Sequence, residues 1–162
     1  MISELFSMTV LVGILASGIR LATPYLYAAL GETFSQRSGV LNLGVEGQML
    51  LGSFAAFYVA FTTGSLWLGV LAAMIVGAVM GVAMAYVTVN LQAVQGISGI
   101  GFYLFGLGLS DLLFQKLLGT VETVKGFPKI QFPFLSDIPI LGEIFFQQNI
   151  LVYIAFALVP IS

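Results

Sequence analysis

The chain has 162 residues, of which 59% are hydrophobic and 7% are charged, and its formal net charge is −2. A soluble domain carries about 25% charged residues, so this composition indicates a chain whose main solvent is lipid. Histidine and cysteine are both absent, which excludes disulfides and removes the most common metal ligands and general base. There is neither a GxxxxGK[ST] phosphate loop nor an excess of basic residues, which argues against nucleotide hydrolysis by that motif and against nucleic-acid binding.

The first apolar segment covers residues 5–30 and contains Arg20 and Pro24. Its start lacks the basic region of a cleavable signal peptide, so we expect the segment to be retained. Because proline disfavours a helix interior but suits a first turn, we favour a short first piece followed by a helix over residues 24–36. One tilted span over the whole segment is the alternative.

Residues 31–52 concentrate polar side chains in an otherwise apolar sequence, and glycines recur among them. Charges at bilayer depth are costly unless they face protein or water. Polar groups in a glycine-interrupted apolar segment are typical of a discontinuous helix that lines a transport site. We therefore predict a discontinuous helix around residues 37–48, with Gly39 as the C-cap of the helix that precedes it.

Three further apolar runs cover residues 43–61, 66–89 and 96–118. The middle run has no charged residue and reads most clearly as a transmembrane helix. Asp111, late in the third run and close to Lys116, is interpreted as a solvated helix end rather than a transport residue. Together these runs predict an all-α fold, a polytopic transmembrane helical bundle.

Small residues recur every four positions along the middle run. Such a stripe lets helix backbones approach closely in lipid. Ordinary tight packing is the favoured interpretation, and a moving or substrate-proximal interface is the alternative. The residues are Ala73, Gly77, Gly81 and Ala85.

The segment at about 119–145 differs from the rest, because it carries prolines, charges and alternating aromatic residues. We expect a structured extramembrane loop that acts as a docking or lid element. The last apolar run, 149–162, is too short at about 1.5 Å per residue to cross a core of about 30 Å. We therefore expect an incomplete final helix, and a chain that is part of a longer membrane protein.

Two polar motifs carry a family resemblance. The stretch TPYLYAALGETFSQRSGVLNLGVEGQMLLGSFAAF closely resembles the segment TPLLLAALGE…ERSGVxNLGxEGxML of the permeases of ABC importers, in the group that includes ribose and branched-chain amino-acid permeases. GFPKIQFPFLSDIPILGEIFFQQNILVY is similar to a loop and helix start of the nucleoside-type members. Gln36 and Gln92 depart from the usual Glu and basic residue of that pattern.

The resemblance implies that residues 1–162 are the N-terminal part of one permease domain, in a multi-pass protein of a bacterial or archaeal cell membrane. It implies a transmembrane subunit of an ATP-driven importer for nucleosides or related sugars, working by alternating access and without enzymatic chemistry. The chain would bind no cofactor, since a separate ATPase subunit binds ATP. A second permease subunit, identical or different, and an extracellular solute-binding lipoprotein are the further partners. The alternatives are a permease for a pentose or branched-chain amino acid, an ion-coupled secondary transporter and a purely structural membrane subunit.

Charge and resemblance disagree about orientation. Lys116, Lys125 and Lys129 lie in or beside the long loop, and a count of positive charges would place that loop in the cytoplasm. The resemblance implies that the loop is extracellular. We follow the resemblance, because the rule rests here on few charges and the same loop carries acidic residues.

Four residues are hypothesised to line a substrate path: Asn42, Glu46, Gln48 and Tyr103. Glu46 is either a hydrogen-bond acceptor for a hydroxyl-rich solute or a closing latch. Its alternative is a structural carboxylate at a helix start, or one paired with Arg37 or Arg20. Asn42 suits solute contact and helix capping equally well. Aromatic rings such as that of Tyr103 hold bases and sugars, but more often they simply pack.

Two further groups complete the sequence-based hypotheses. Glu32 and Arg37 are predicted to form a structural ion pair or a gate near the membrane surface. Three phenylalanines spaced by prolines are predicted to dock the binding protein, since exposed aromatic patches mark interfaces, and plugging of the outer mouth of the path is the alternative. These are Phe127, Phe132 and Phe134.

Overall fold

A computed structural model describes residues 8–120, 123–130 and 141–161. The helices in these ranges are α1 (Met8–Arg37), α2 (Val45–Thr63), α3 (Leu66–Ala85), α4 (Gln95–Leu117), α5 (Leu141–Phe145) and α6 (Ile150–Leu158). No strand is found in these ranges, and a single antiparallel bridge joins Lys129 and Asn149. The predicted all-α helical fold is confirmed.

Among the described residues, three stretches are long and apolar enough to cross a membrane: Val10–Arg37, Leu66–Asn90 and Gln95–Leu117. α2 is not among them, because its 19 residues carry polar side chains at both ends that lower its mean hydropathy. The chain divides into two compact units, one of Met1–Gly31 with Phe127–Ser162 and one of Glu32–Gly126.

α1 is one continuous helix that contains Pro24 in its interior. The prediction of a helix beginning at about Pro24 is therefore wrong. Proline removes the backbone donor that would serve the carbonyl of Arg20, four residues earlier, and membrane helices tolerate such a loss better than soluble ones. Separately, the hydroxyl of Thr23 donates to the carbonyl of Ile19 over 2.8 Å.

α1 ends in a Schellman motif, as the sequence predicted. Gly39 has a φ of +82°, the left-handed conformation that glycine adopts without a steric cost. Its N–H donates to the carbonyl of Gln36 over 3.0 Å, and the N–H of Val40 donates to that of Ser35 over 3.0 Å. The predicted interruption is confirmed and covers residues 38–44, so that Glu46 and Gln48 lie at the start of α2.

α2, α3 and α4 belong to the Glu32–Gly126 unit. α2 and α3 approach closely, since a Cβ on Gly69 would lie 2.7 Å from the carbonyl oxygen of Ala56. α3 continues into a π-helical turn, Tyr86–Asn90. The following turn includes Gln92, whose φ of +52° is unusual for a residue with a side chain.

The other unit is organised around Gln148, whose side chain is fully buried. Its Nε2 donates to the carbonyls of Ile144 (2.7 Å) and Ala16 (3.2 Å). The backbone carbonyl of Gln148 accepts from the N–H of Ile130 over 2.9 Å. Gln148 thereby ties α1, α5 and the end of the 123–130 segment together. Asn149 caps α6 by accepting from the N–H of Val152 over 3.1 Å.

Candidate solute path at the interrupted helix

The 38–44 interruption is held in place by side chains of α1, the helix before it, and of α4, which is distant in the sequence. Oε1 of Glu32, near the end of α1, accepts from the N–H of Asn42 over 3.0 Å. At the start of α4, Oε1 of Gln95 accepts from the N–H of Leu41 over 2.8 Å and its Nε2 donates to the carbonyl of Gly39 over 3.0 Å. The loop backbone therefore finds hydrogen-bond partners without a regular helix.

Asn42 uses both ends of its amide inside the protein. Its Oδ1 accepts from the N–H of Gly44 over 3.0 Å, and its Nδ2 donates to Oε1 of Gln48 over 3.1 Å. The first bond is an Asx turn that leads into α2. Nε2 of Gln48 is buried and has no hydrogen-bond partner among the described residues. The side-chain amide of Gln48 is therefore held by Asn42 through its Oε1, while its Nε2 remains available as a donor.

Glu46 lies in the first turn of α2 and its side chain is exposed. A carboxylate at this position interacts favourably with the helix dipole. Within the described parts of the chain its side chain forms no hydrogen bond or ion pair, so the predicted pairing with Arg20 or Arg37 is not found there.

The structure also describes no ion pair between Glu32 and Arg37. The two residues are five positions apart on α1, and side chains pair along a helix at spacings of three or four. Glu32 instead accepts from the N–H of Asn42 and, more weakly, from Nε2 of Gln36 over 3.3 Å. Its carboxylate therefore braces the loop, and a gating role for the two residues stays a prediction.

α2 and α4 touch backbone to backbone beside this network. A Cβ on Gly47 would lie 2.7 Å from the carbonyl oxygen of Phe102 and 2.7 Å from Cα of Tyr103, and a Cβ on Gly106 would overlap the carbonyl of Gly47. Gly44, three residues before Gly47, and Gly99, seven before Gly106, also make close approaches, since a Cβ on either would lie 2.8 Å from its nearest atom. Sequence reasoning missed these contacts because it looked for small residues at every fourth position. Gly99 and Gly106 are seven apart, a spacing that also returns to the same helix face.

The structure brings two of the four proposed path residues, Asn42 and Gln48, into direct contact. The half-buried Tyr103 has its backbone against Gly47, the residue before Gln48. Glu46 lies on the neighbouring exposed surface of α2. In the ranges that the structure covers, no cluster of three or more carboxylates suited to a metal ion is present.

The remaining predicted residues lie elsewhere. On the small-residue stripe, a Cβ on Gly77 or Gly81 would meet no atom within 4 Å, whereas a Cβ on Gly52 of α2 would lie 3.8 Å from the carbonyl oxygen of Ala73. Close packing along the rest of the stripe stays a prediction. Phe127 is half-buried. Phe132 and Phe134 lie outside the described residues.

Long apolar helices, and a polar interruption braced by Glu32 and Gln95, define a polytopic membrane protein of the transporter class. The chain belongs to the family described as branched-chain amino acid transport system / permease component, whose model matches residues 14–161.

Three curated relatives are named as ABC transporter permease proteins. TsgC13 of Haloferax volcanii, provisionally named for glucose, is 37% identical over 153 residues, covering 92% of this chain and 46% of the relative. The guanosine permease protein NupQ of Bacillus subtilis is 36% identical, covering 78% and 43%. The nucleoside permease protein NupC of Lactococcus lactis is 32% identical, covering 84% and 45%. The chain therefore spans less than half the length of these relatives. No solved structure matches it.

Proposed function

We propose that the chain is part of a permease subunit of an ATP-driven importer for nucleosides or related sugars. The observation that carries the proposal is the similarity to NupQ and NupC over most of this chain, since both are named for nucleosides. The relative named for glucose supports the wider class of hydroxyl-rich solutes.

The chemistry of the interrupted helix suits that class. Nε2 of Gln48 is a buried donor without a described partner, and the exposed carboxylate of Glu46 is an acceptor. Hydroxyl groups and ring nitrogens of a nucleoside match such a donor and acceptor. Asn42 positions Gln48 through the 3.1 Å bond between their amides, so we assign Asn42 to positioning rather than to solute contact.

The permease would work by alternating access and would make or break no covalent bond of the solute. A separate ATPase subunit binds and hydrolyses ATP, and this chain holds no cofactor. A second permease subunit completes the path, and an extracellular lipoprotein delivers solute to the loop that contains Phe127. The assembly lies in the cell membrane of a bacterium or archaeon.

Uptake by the full-length permease, reconstituted with its ATPase and binding protein, tests this proposal. Radiolabelled guanosine should accumulate in vesicles only when the ATPase has ATP, and an ATPase variant that cannot hydrolyse ATP should abolish uptake. A protonophore should leave the initial rate unchanged. Uptake that persists with the inactive ATPase and collapses with the protonophore would instead indicate an ion-coupled carrier that uses Glu46.

A further inference from the structure

A cleft of about 560 Å³ that is largely open on one side lies between α2 and α4, and its volume is in the size range of small-molecule sites. We call it the α2–α4 chamber and define it by three phenyl rings and three polar side chains: Phe54, Phe57, Phe114, Ser53, Ser110 and Asp111. All of these residues belong to the Glu32–Gly126 unit. None of the four residues discussed above as a solute path lines the chamber.

Two of the phenyl rings that line the chamber stack on a second aromatic ring of the same helix. The ring of Phe54 stacks on that of Tyr58 at a centroid distance of 5.9 Å, and the ring of Phe57 stacks on that of Phe61 at 6.1 Å. Each pair is four residues apart on α2, so the helix itself sets the ring planes. Rings held in this way lose little freedom when a planar ligand binds against them.

The polar groups of the chamber present acceptors. The hydroxyl of Ser53 donates to the carbonyl of Met49 (2.6 Å) and that of Ser110 to the carbonyl of Leu107 (3.0 Å). Oδ2 of Asp111 accepts from Nε2 of Gln115 over 2.8 Å. The groups still available to a ligand are therefore acceptors, namely the lone pairs of the two hydroxyl oxygens and the other carboxylate oxygen of Asp111. The lining includes no lysine or arginine.

This arrangement discriminates between solute classes. A nucleoside offers a flat base for the phenyl rings and ribose hydroxyls that donate to the acceptors. An amino acid could pair its ammonium group with Asp111, but its carboxylate would find no cation in the lining of the chamber, because Lys116 lines an adjoining groove with Asp111 rather than the chamber itself. The chamber therefore fits a neutral, donor-rich solute with an aromatic ring.

The chamber is continuous in register with the proposed path. Glu46 lies four residues before Leu50 and Tyr103 four before Leu107, and both leucines line the chamber. Such spacing places each pair on one helix face. The backbone contact between Gly47 and Gly106 marks where the two helices are closest. The chamber extends from there toward the end of α4, which Asp111 precedes by six residues.

We propose that the α2–α4 chamber is an entry subsite for a nucleoside, with the base against Phe54, Phe57 or Phe114 and the ribose hydroxyls donating to Asp111. The inference rests on the proposed function and deepens it. The side chain of Asp111 is exposed, which agrees with the sequence-based interpretation of a solvated helix end, and the subsite would add solute contact to that position.

Photolabelling of the complete importer with 8-azidoadenosine tests the subsite. Label should map to peptides containing residues 50–57 or 107–114, and excess adenosine but not leucine should prevent it. Phe114→Ala and Asp111→Asn should each lower labelling about 10-fold, the effect expected for one lost aromatic–base stack or one charged hydrogen bond. Phe105→Ala is the matched control. Phe105 lies nine residues before Phe114, on the opposite face of α4, and its side chain is 54% exposed.

Assembly with the ATPase, measured by gel filtration, distinguishes lost binding from misfolding, and Phe114→Leu provides a variant that keeps an apolar side chain. Label outside both peptides, or assembled Phe114→Ala and Asp111→Asn proteins that label like the wild type, would overturn the subsite. If the wild type in the same preparation still took up guanosine in an ATP-driven manner, the proposed importer function would hold and only the subsite would be wrong. Failure of the wild type to take up any nucleoside would overturn both proposals.

Discussion

Gly47 of α2 and Gly106 of α4 are in direct backbone contact, and no side chain fits between them. Helices in lipid associate through close packing rather than through the hydrophobic effect, so such contacts carry much of their mutual stability. The contact also sets the separation of the two helices beside the Asn42–Gln48 pair and at the near end of the α2–α4 chamber. We regard it as the fixed point around which the proposed path is built.

Replacing Gly106 with alanine should destabilise the permease by about 1–3 kcal/mol, because the new methyl group would overlap the carbonyl of Gly47. The measurement is the apparent melting temperature of the detergent-solubilised full-length protein. Gly101→Ala and Gly108→Ala are the controls, since a Cβ at either position meets nothing within 4 Å. They should be neutral or stabilising, as alanine is the better helix former. Equal effects of all three substitutions would contradict the contact.

Asn42 and Gln48 should be energetically coupled. A double-mutant cycle of Asn42→Ala and Gln48→Ala is expected to give a coupling of about 0.5–1.5 kcal/mol in unfolding free energy, the usual contribution of one hydrogen bond. Thr62→Ala replaces Gln48→Ala in a control cycle, because the exposed hydroxyl of Thr62 donates to the carbonyl of Tyr58 within α2 and shares no described partner with Asn42. Additive effects of Asn42→Ala and Gln48→Ala would show that their amides do not interact.

Gln148 should be less tolerant of glutamate than of methionine. Both substitutions remove the Nε2 donor that serves Ile144 and Ala16, but glutamate also buries a carboxylate against two carbonyl oxygens, which costs more. We expect Gln148→Met to lose about 1–3 kcal/mol and Gln148→Glu to lose more. Limited proteolysis near Ile130, which donates to the carbonyl of residue 148, should accelerate in the same order. If the Gln148→Glu protein were as stable as the Gln148→Met protein, the proposed role of the Gln148 amide as a buried donor to two carbonyls would be refuted.

Gln92 occupies the left-handed region at φ +52°, where a Cβ costs about 1–2 kcal/mol. Gln92→Gly should therefore raise the melting temperature despite the larger conformational entropy of glycine in the unfolded chain. Leu91→Gly is the neighbouring control, because Leu91 has a φ of −87° and gains no such relief. A lower melting temperature for Gln92→Gly than for Leu91→Gly would contradict the strain.

Composition and hydropathy were enough to predict the helical membrane fold, because no other class of chain has so few charges. The interruption after Arg37 and its glycine cap were also predictable, since Gly39 follows a polar helix end. Pro24 misled the prediction of α1, because the preference of proline for a first helical turn is weaker in membrane helices, which tolerate proline in their interior.

The candidate site was less predictable, because its geometry depends on helices distant in the sequence. The polar residues of the interruption were recognised, but not that Gln95 braces the loop from α4 across 54 positions. Asp111 was assigned to a helix end from its place in the sequence. Its position beside three phenyl rings follows only from the packing of α2 on α4.

Competitive uptake tests the central claim, a nucleoside path through this permease, most directly. Vesicles with the full-length permease, its ATPase and its binding protein would be loaded with ATP on the ATPase side, and the initial rate of guanosine uptake measured with excess adenosine, ribose or leucine. We predict uptake that requires ATP, that adenosine blocks, and that ribose and leucine leave unchanged. ATP-driven uptake of ribose or leucine without any uptake of guanosine would contradict the claim.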